Sequence, residues 1–338
     1  MTAHGAGFRG RERRAKGIAS LVAMVACGLA VRALAAGHAP TQWDIARNPA
    51  VKSAEATHRQ VELLLITVEQ VGSHSLVGKE KLLQAMLLLD EAKADVSPDV
   101  RLRLDFGVVA SDLGDDKRAA PVLESALAEA PEGPVAVRAW FSLGVSYTRL
   151  GRPDDEIRAW DEFLRRETHV PHRADALSNR AEALMLTGRL PAAIADYRAS
   201  IGLHPDDVMA HWGLAVALDR NGDTLGAMAE ARAAITYDPL DQKMTSDSVF
   251  FVPSYELYWY EGVGAMARAQ QVDDAATAVL WWETAVSKWM EYIAVSALDD
   301  KWLPLARAHQ ASSQRELDRA KKRAAKSPKK AWRGAPLP

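Results

Sequence analysis

Few residues in this sequence of 338 have the types and spacing that chemistry requires. His169 and His172 form the one close histidine pair, and two imidazoles at short spacing can bind a transition-metal ion. However, Pro171 stands between them and no cysteine lies nearby to complete a ligand set. We therefore expect no metal site at this pair.

Two acidic pairs, Asp154-Asp155 and Asp206-Asp207, could also be taken for cation ligands. Each pair stands where a helix is expected to begin, and carboxylates there cap the helix and favour its positive end. Gly5–Gly10 fits GxGxxG, but no strand precedes it. The sequence contains no GxxxxGK, HExxH or GxSxG motif. We therefore expect no catalytic residues, no cofactor and no enzymatic activity.

The composition predicts an all-α protein with an uneven distribution of charge. Ala, Leu, Glu and Arg dominate, and alternating β-branched runs are nearly absent. Residues 1–40 carry six Arg/Lys and one Glu, and residues 315–338 carry nine Arg/Lys and two acids, so 41–314 has a net charge of −14 within a total of −2. Since aromatic residues are sparse among the basic ends, we expect no nucleic-acid partner.

The first 35 residues have the layout of a secretory signal peptide. Basic residues in Arg9–Lys16 precede the apolar run Gly17–Val31, and Ala33 and Ala35 stand at the positions that signal peptidase reads. The sequence therefore predicts cleavage near Ala35, a linker over 36–49, and export to the periplasm or cell envelope.

Two alternatives for this segment remain open. Residues 17–31 could stay as a membrane anchor, although they fall short of the roughly 20 apolar residues that cross a bilayer. Cys27 could instead carry a lipid, because the residues before it resemble the end of a lipobox. As Cys27 is the only cysteine, no disulfide can form within one chain.

The central region repeats with a period of 34 residues. Gly188 and Gly222 are separated by this distance, and so are Pro205 and Pro239. A turn glycine, small residues at helical spacing and a terminal proline at this period predict stacked helical hairpins. The register extends to four units, at 100–133, 137–170, 174–207 and 208–241.

The stretch Trp140–Gly151 reads W-x-x-L-G-x-x-Y-x-x-x-G and resembles the tetratricopeptide repeat. The third and fourth units match the same pattern through Gly188, Ala193, Tyr197, Pro205, Leu214, Ala215, Gly222, Ala227 and Pro239. The resemblance implies an α-α superhelix, a solenoid of antiparallel hairpins, that binds a protein or peptide partner in a groove.

The family register also implies which side chains face that groove. These candidates are Arg138, Phe141, Asp175, Asn179 and Glu182. Some tetratricopeptide proteins clamp a terminal carboxylate with Lys and Asn, but only Asn179 fits that set here. The candidates instead indicate a mixed polar and apolar surface for a peptide or helix. The oligomeric state stays undetermined.

Diverged elements flank the repeats. Residues 50–99 predict an N-terminal hairpin, and 242–326 predict a hairpin followed by a capping helix. The C-terminal module is rich in tryptophan, including Trp259, Trp281 and Trp282. These rings either fill a hydrophobic cap that closes the array or form an aromatic surface for a peptide, glycan or peptidoglycan strand.

The last residues, 327–338, predict a basic and disordered tail. Such a tail is either merely solvated or makes electrostatic contact with an anionic membrane, a cell-wall polymer or the acidic central region. The sequence as a whole therefore predicts a non-enzymatic interaction scaffold, with glycan binding as the alternative.

Overall fold

The computed structural model describes residues 49–246 and 249–326. Within these ranges the secondary structure is helical, with thirteen α-helices, one 3-10 helix and no strand, which confirms the all-α prediction. No helix among the described residues is both long and apolar enough to cross a membrane. The predicted signal peptide, nearly all of the linker and the basic tail lie outside the described residues.

The described residues divide into two compact units, of which the first ends at Thr187 and the second begins at Gly188. In the first unit, sequential helices pack as hairpins, and α3 also packs against α1 and α5. Its helices are α1 Pro49–Val71, α2 Leu76–Glu91, α3 Val100–Asp112, α4 Asp116–Glu129, α5 Pro134–Arg149, α6 Pro153–Arg166 and α7 Val170–Leu186.

The second unit holds the fourth predicted repeat and the C-terminal module. Its helices are α8 Leu190–Leu203, α9 Val208–Arg220, α10 Thr224–Tyr237, α11 Glu256–Gln271, α12 Ala275–Val295 and α13 Leu303–Lys326. The last three pack in sequence, α11 on α12 and α12 on α13.

Glycines end the first helix of each predicted repeat. Gly114, Gly151, Gly188 and Gly222 have φ values of 80°, 65°, 82° and 85°, a left-handed conformation that glycine adopts without strain. The acidic pairs lie at helix starts as expected. Asp207 caps α9 by accepting from the backbone N–H groups of Met209 and Ala210 at 3.0 and 3.2 Å. In α6, Asp154 and Asp155 occupy the first turn.

The three extra residues before the second and third predicted repeats are absorbed into helices. Helix α5 has 16 residues and α7 has 17, whereas α3 and α9 have 13 each. Both longer helices begin with proline in the first turn, where its missing N–H costs nothing. Pro121 lies inside α4, yet α4 has 14 residues, the same length as α6 and α8.

Glycines in the first helix of a hairpin let a large side chain of the second helix lie against the backbone. A Cβ atom at Gly144 would stand 2.7 Å from the ring of Trp160, and one at Gly107 would stand 2.4 Å from Leu123. In the C-terminal module the same relation joins Gly262 to Trp289, at 2.8 Å. Trp160 and Trp289 are both fully buried as a result.

Glu156 stands where the repeat pattern expects a small residue, and the structure buries it to 2% exposure. The indole N–H of Trp160 donates to its carboxylate at 3.1 Å. Burial raises the pKa of Glu156 to about 7, and the hydrogen bonds from Thr148 and Trp160 offset only part of that effect. The folded protein therefore favours a neutral carboxyl at this position.

Replacing Gly144 by alanine should destabilise the first unit, because the new methyl group meets the Trp160 ring within α5 and α6. We expect the free energy of unfolding to fall by about 1–3 kcal/mol, measured by urea denaturation. Gly202→Ala is the matched control, since nothing lies within 4 Å of that helical position. Equal stability of the Gly144 variant and the native chain would contradict the close contact.

Glu156→Gln should stabilise the protein in a pH-dependent way. Since the folded pKa of about 7 exceeds the ordinary 4.5, native Glu156 loses stability as the pH rises from about 4.5 to 7. We expect the glutamine variant to be about 2–3 kcal/mol more stable at pH 8, with the difference vanishing near pH 4.5, in denaturation series across that range.

The control for this series is Glu162→Gln on the same helix. There the hydrogen bond from Arg166 holds the pKa of the carboxyl below its usual value, so the variant should lose stability at high pH instead of gaining it. The same sign for both variants would contradict the assignment of Glu156 as a buried, neutral carboxyl.

Candidate functional site

The first unit contains a pocket of about 160 Å³. Residues of five helices line it, namely α1, α3, α5, α6 and α7, together with the turn after α1. The lining residues are Leu65, Val68, Glu69, Ser73, Val108, Asp112, Arg138, Phe141, Ser142, Phe163, His172 and Asp175. We call this cavity the first-unit pocket.

The apolar side of the pocket depends on an aromatic cluster. Phe141 of α5 meets Trp160 and Phe163 of α6 edge to face, with ring centroids 5.1 and 5.4 Å apart. Trp160 is held in turn by its close contact with Gly144. Edge-to-face pairs favour one relative orientation, so the cluster fixes the ring of Phe141 at the pocket wall.

The polar side of the pocket is mainly acidic. Arg138 of α5 pairs with Glu69 of α1 at 3.2 Å and with Glu62 at 3.6 Å, which joins two helices far apart in sequence. Asp112 and Asp175 complete the lining, so three carboxylates face one guanidinium and one histidine. A ligand with positive charge is therefore favoured at this rim.

His172 presents a buried polar atom at the pocket. His172 is only 5% exposed, and its Nδ1 lies 3.2 Å from Oε2 of Glu167. Burial alone would raise the pKa of Glu167, but hydrogen bonds from His172 and backbone N–H groups lower it overall. Nε2 of His172 is buried and has no hydrogen-bond partner among the described residues. The pocket can therefore offer one hydrogen bond from its wall.

The structure brings together part of the predicted groove. Arg138, Phe141 and Asp175 line the first-unit pocket. Asn179 and Glu182 follow Asp175 at helical spacing on the same face of α7, but they do not line the cavity. A partner that contacts all five residues would have to extend beyond the pocket along α7.

Two of the three tryptophans proposed for an aromatic surface are core residues. Trp259 is fully buried, and Trp282 is 4% exposed. Trp281 is partly exposed, and the guanidinium of Arg268 lies 5.2 Å from its ring centroid. Since buried rings cannot contact a glycan, Trp259 and Trp282 form no part of an aromatic surface and instead fill the interior of the C-terminal module.

Sequence reasoning missed a buried polar network around Trp259. Its indole N–H donates to Asp219 at 3.0 Å, and the same carboxylate lies 3.0 Å from Nε2 of His309. Arg220 pairs with Glu256 at 2.6 Å while its guanidinium lies over the Trp259 ring. The partners are separated by 36 to 90 residues, so no local pattern could have indicated them.

A second missed group lies between α1 and α3. Nδ1 of His58 lies 2.5 Å from Asp105, and Glu62 stands beside them, with one ligand atom of each of the three within 4.8 Å of the others. A sequence signal was present for two of the three residues, because His58 and Glu62 are four residues apart on a predicted helix. The prediction that His169 and His172 bind no metal concerns a different place in the chain, and this group does not bear on it.

The tetratricopeptide-repeat family matches residues 104–161, 157–207 and 192–242 of this chain. These matches cover the predicted repeats apart from the first few residues, and the described helices form the hairpins that such repeats require. Residues 104–242 of this chain are therefore tetratricopeptide repeats.

Solved structures of MamA are similar to part of the chain. One, from MSR-1, is 19% identical, covers 56% of this chain and 97% of its own, and has a TM-score of 0.45. Another, from AMB-1, is 22% identical, covers 56% and 99%, and also has a TM-score of 0.45. No curated protein sequence matches the chain. The family assignment therefore rests on the repeat match and on the observed hairpins.

The two adjacent tryptophans of α12 should respond differently to truncation. Trp282→Ala removes a buried ring and should lower the free energy of unfolding by about 3–5 kcal/mol. Trp281→Ala removes a partly exposed ring and should cost clearly less. Urea denaturation followed by circular dichroism measures both. Similar losses at the two positions would contradict the burial pattern.

Proposed function

We propose that this protein is a non-enzymatic scaffold that binds a segment of a partner protein at the first-unit pocket. The observation that carries the proposal is a pocket with an aromatic wall and an acidic rim on a tetratricopeptide-repeat framework. Phe141 and Phe163 offer apolar surface, and Asp112 and Asp175 favour positive charge nearby. The partner segment therefore presents an apolar side chain next to a basic one.

A partly exposed face of α7 extends this contact. Asn179 and Glu182 continue the face that carries Asp175, so a bound helix or extended peptide can run from the pocket onto this helix. Apolar burial in the pocket supplies most of the affinity, while the charges at the rim select the partner and its orientation.

Binding of short labelled peptides by fluorescence anisotropy tests this proposal. We expect peptides with a central Leu or Phe flanked by Lys and Arg to bind more tightly than the same peptides flanked by Glu. Asp112→Asn should lower the affinity for the basic peptides about three- to tenfold, because it removes a carboxylate from the rim. Added salt should weaken binding in the same direction.

Asp95→Asn is the matched control, because Asp95 is an exposed carboxylate of the same unit outside the pocket. It should leave the affinity unchanged. Equal binding of basic and acidic peptides, or an equal effect of the two aspartate substitutions, would overturn the proposed recognition of positive charge.

We propose further that the scaffold acts at the cell envelope after export. The support comes from residues 1–35, whose basic start, apolar run and small residues match a signal peptide. Mass spectrometry of the mature N-terminus tests this location. We expect a chain that starts at Ala36, and recovery of an intact Met1 from cells would contradict cleavage.

A further inference from the structure

We propose that His58, Glu62 and Asp105 form a binding site for a divalent transition-metal ion, with Zn²⁺ as the best fit. His58 and Glu62 are separated by one helical turn of α1, and Asp105 of α3 faces them. One ligand atom of each side chain lies within 4.8 Å of the other two. No part of this site belongs to the first-unit pocket.

The three side chains match the chemistry of such an ion. Imidazole nitrogen and carboxylate oxygen both bind Zn²⁺ at about 2.0–2.2 Å, and three protein ligands leave a fourth tetrahedral position for water or a partner's group. The separation of 2.5 Å between His58 and Asp105 is a hydrogen-bond distance. Metal binding therefore requires small side-chain rotations that open this pair around the ion.

Asp105 has one carboxylate oxygen that His58 does not satisfy. It is 1% exposed, and its Oδ1 is buried without a hydrogen-bond partner among the described residues. A buried carboxylate with one oxygen unsatisfied is costly unless a positive charge compensates it. A metal ion between Asp105, Glu62 and His58 would supply that charge and use the free oxygen.

The neighbouring charges leave room for such an ion. On α1, Glu55 pairs with Arg101 at 2.8 Å, and Asp99 before α3 pairs with the same guanidinium at 2.7 Å. On α5, Arg138 lies 3.6 Å from Glu62 but closer to Glu69. Both arginines thus have other carboxylate partners, and Glu62 can turn toward the metal without leaving Arg138 unpaired.

A proton competes with the metal for His58. Burial lowers the pKa of His58, but the hydrogen bond and charge of Asp105, with the charge of Glu62, raise it overall despite Arg101. The protonated imidazole is therefore the state that satisfies Asp105 when the metal is absent. Since the metal binds the neutral ring, its binding releases the proton and weakens as the pH falls.

Isothermal titration of the chelator-treated full chain with ZnCl₂ at pH 7.5 tests the site. We expect the native chain to bind Zn²⁺ and Glu62→Gln to weaken that binding about ten- to hundredfold. Loss of a direct ligand should reduce the affinity at least as much as loss of a side chain that only supports a ligand. Asp105→Asn should weaken it similarly.

His169→Ala is the matched control, since His169 and His172 form a close histidine pair elsewhere in the same unit, with ring centroids 4.2 Å apart. It should leave Zn²⁺ binding unchanged. The proposal would be overturned if the native chain did not bind Zn²⁺. It would also be overturned if His169→Ala lost Zn²⁺ binding while Glu62→Gln retained it. Glu62 is only partly buried, so its variant is expected to fold, which circular dichroism checks.

Discussion

The close approach of the two helices in a hairpin is the constraint on which the first unit depends. Gly144 has no side chain where the ring of Trp160 lies against α5. Trp160 then supports Phe141 and Phe163, which form the aromatic wall of the pocket. Gly144 does not line the pocket itself. It nevertheless determines the shape of the proposed binding surface, because a bulkier residue there would displace the whole aromatic cluster.

Buried ionisable side chains are a second constraint on the structure, and their effects differ from one site to another. Arg138 connects α5 to α1 through Glu69 and lines the pocket at the same time. Glu156 has no cationic partner in its hydrogen-bond set, so burial raises the pKa of its carboxyl to about 7. Asp105 has His58, whose proton can be exchanged for a metal ion. The chemistry of each group follows from what its neighbours offer in place of water.

The repeat pattern predicted the hairpins because the turn glycines and the small residues recur in phase, and these are local requirements of backbone geometry. Arg138, Phe141 and Asp175 could be placed toward a groove from their position in the first helix of each repeat. Asn179 and Glu182 share that face, but the cavity does not reach them, since its extent depends on side chains from five helices. His58 and Asp105 are 47 residues apart, so no local sequence pattern indicated that they meet.

The amino-acid sequence by itself determined the helical class, the positions of the turns and the family, because these depend on residue spacing along one chain. Only the tertiary structure decided which polar and aromatic side chains are buried. Trp281 and Trp282 are neighbours in sequence, yet one is partly exposed and the other lies in the core. Burial depends on which distant helices pack against each face, and that information is not contained in the spacing of residues within a single helix.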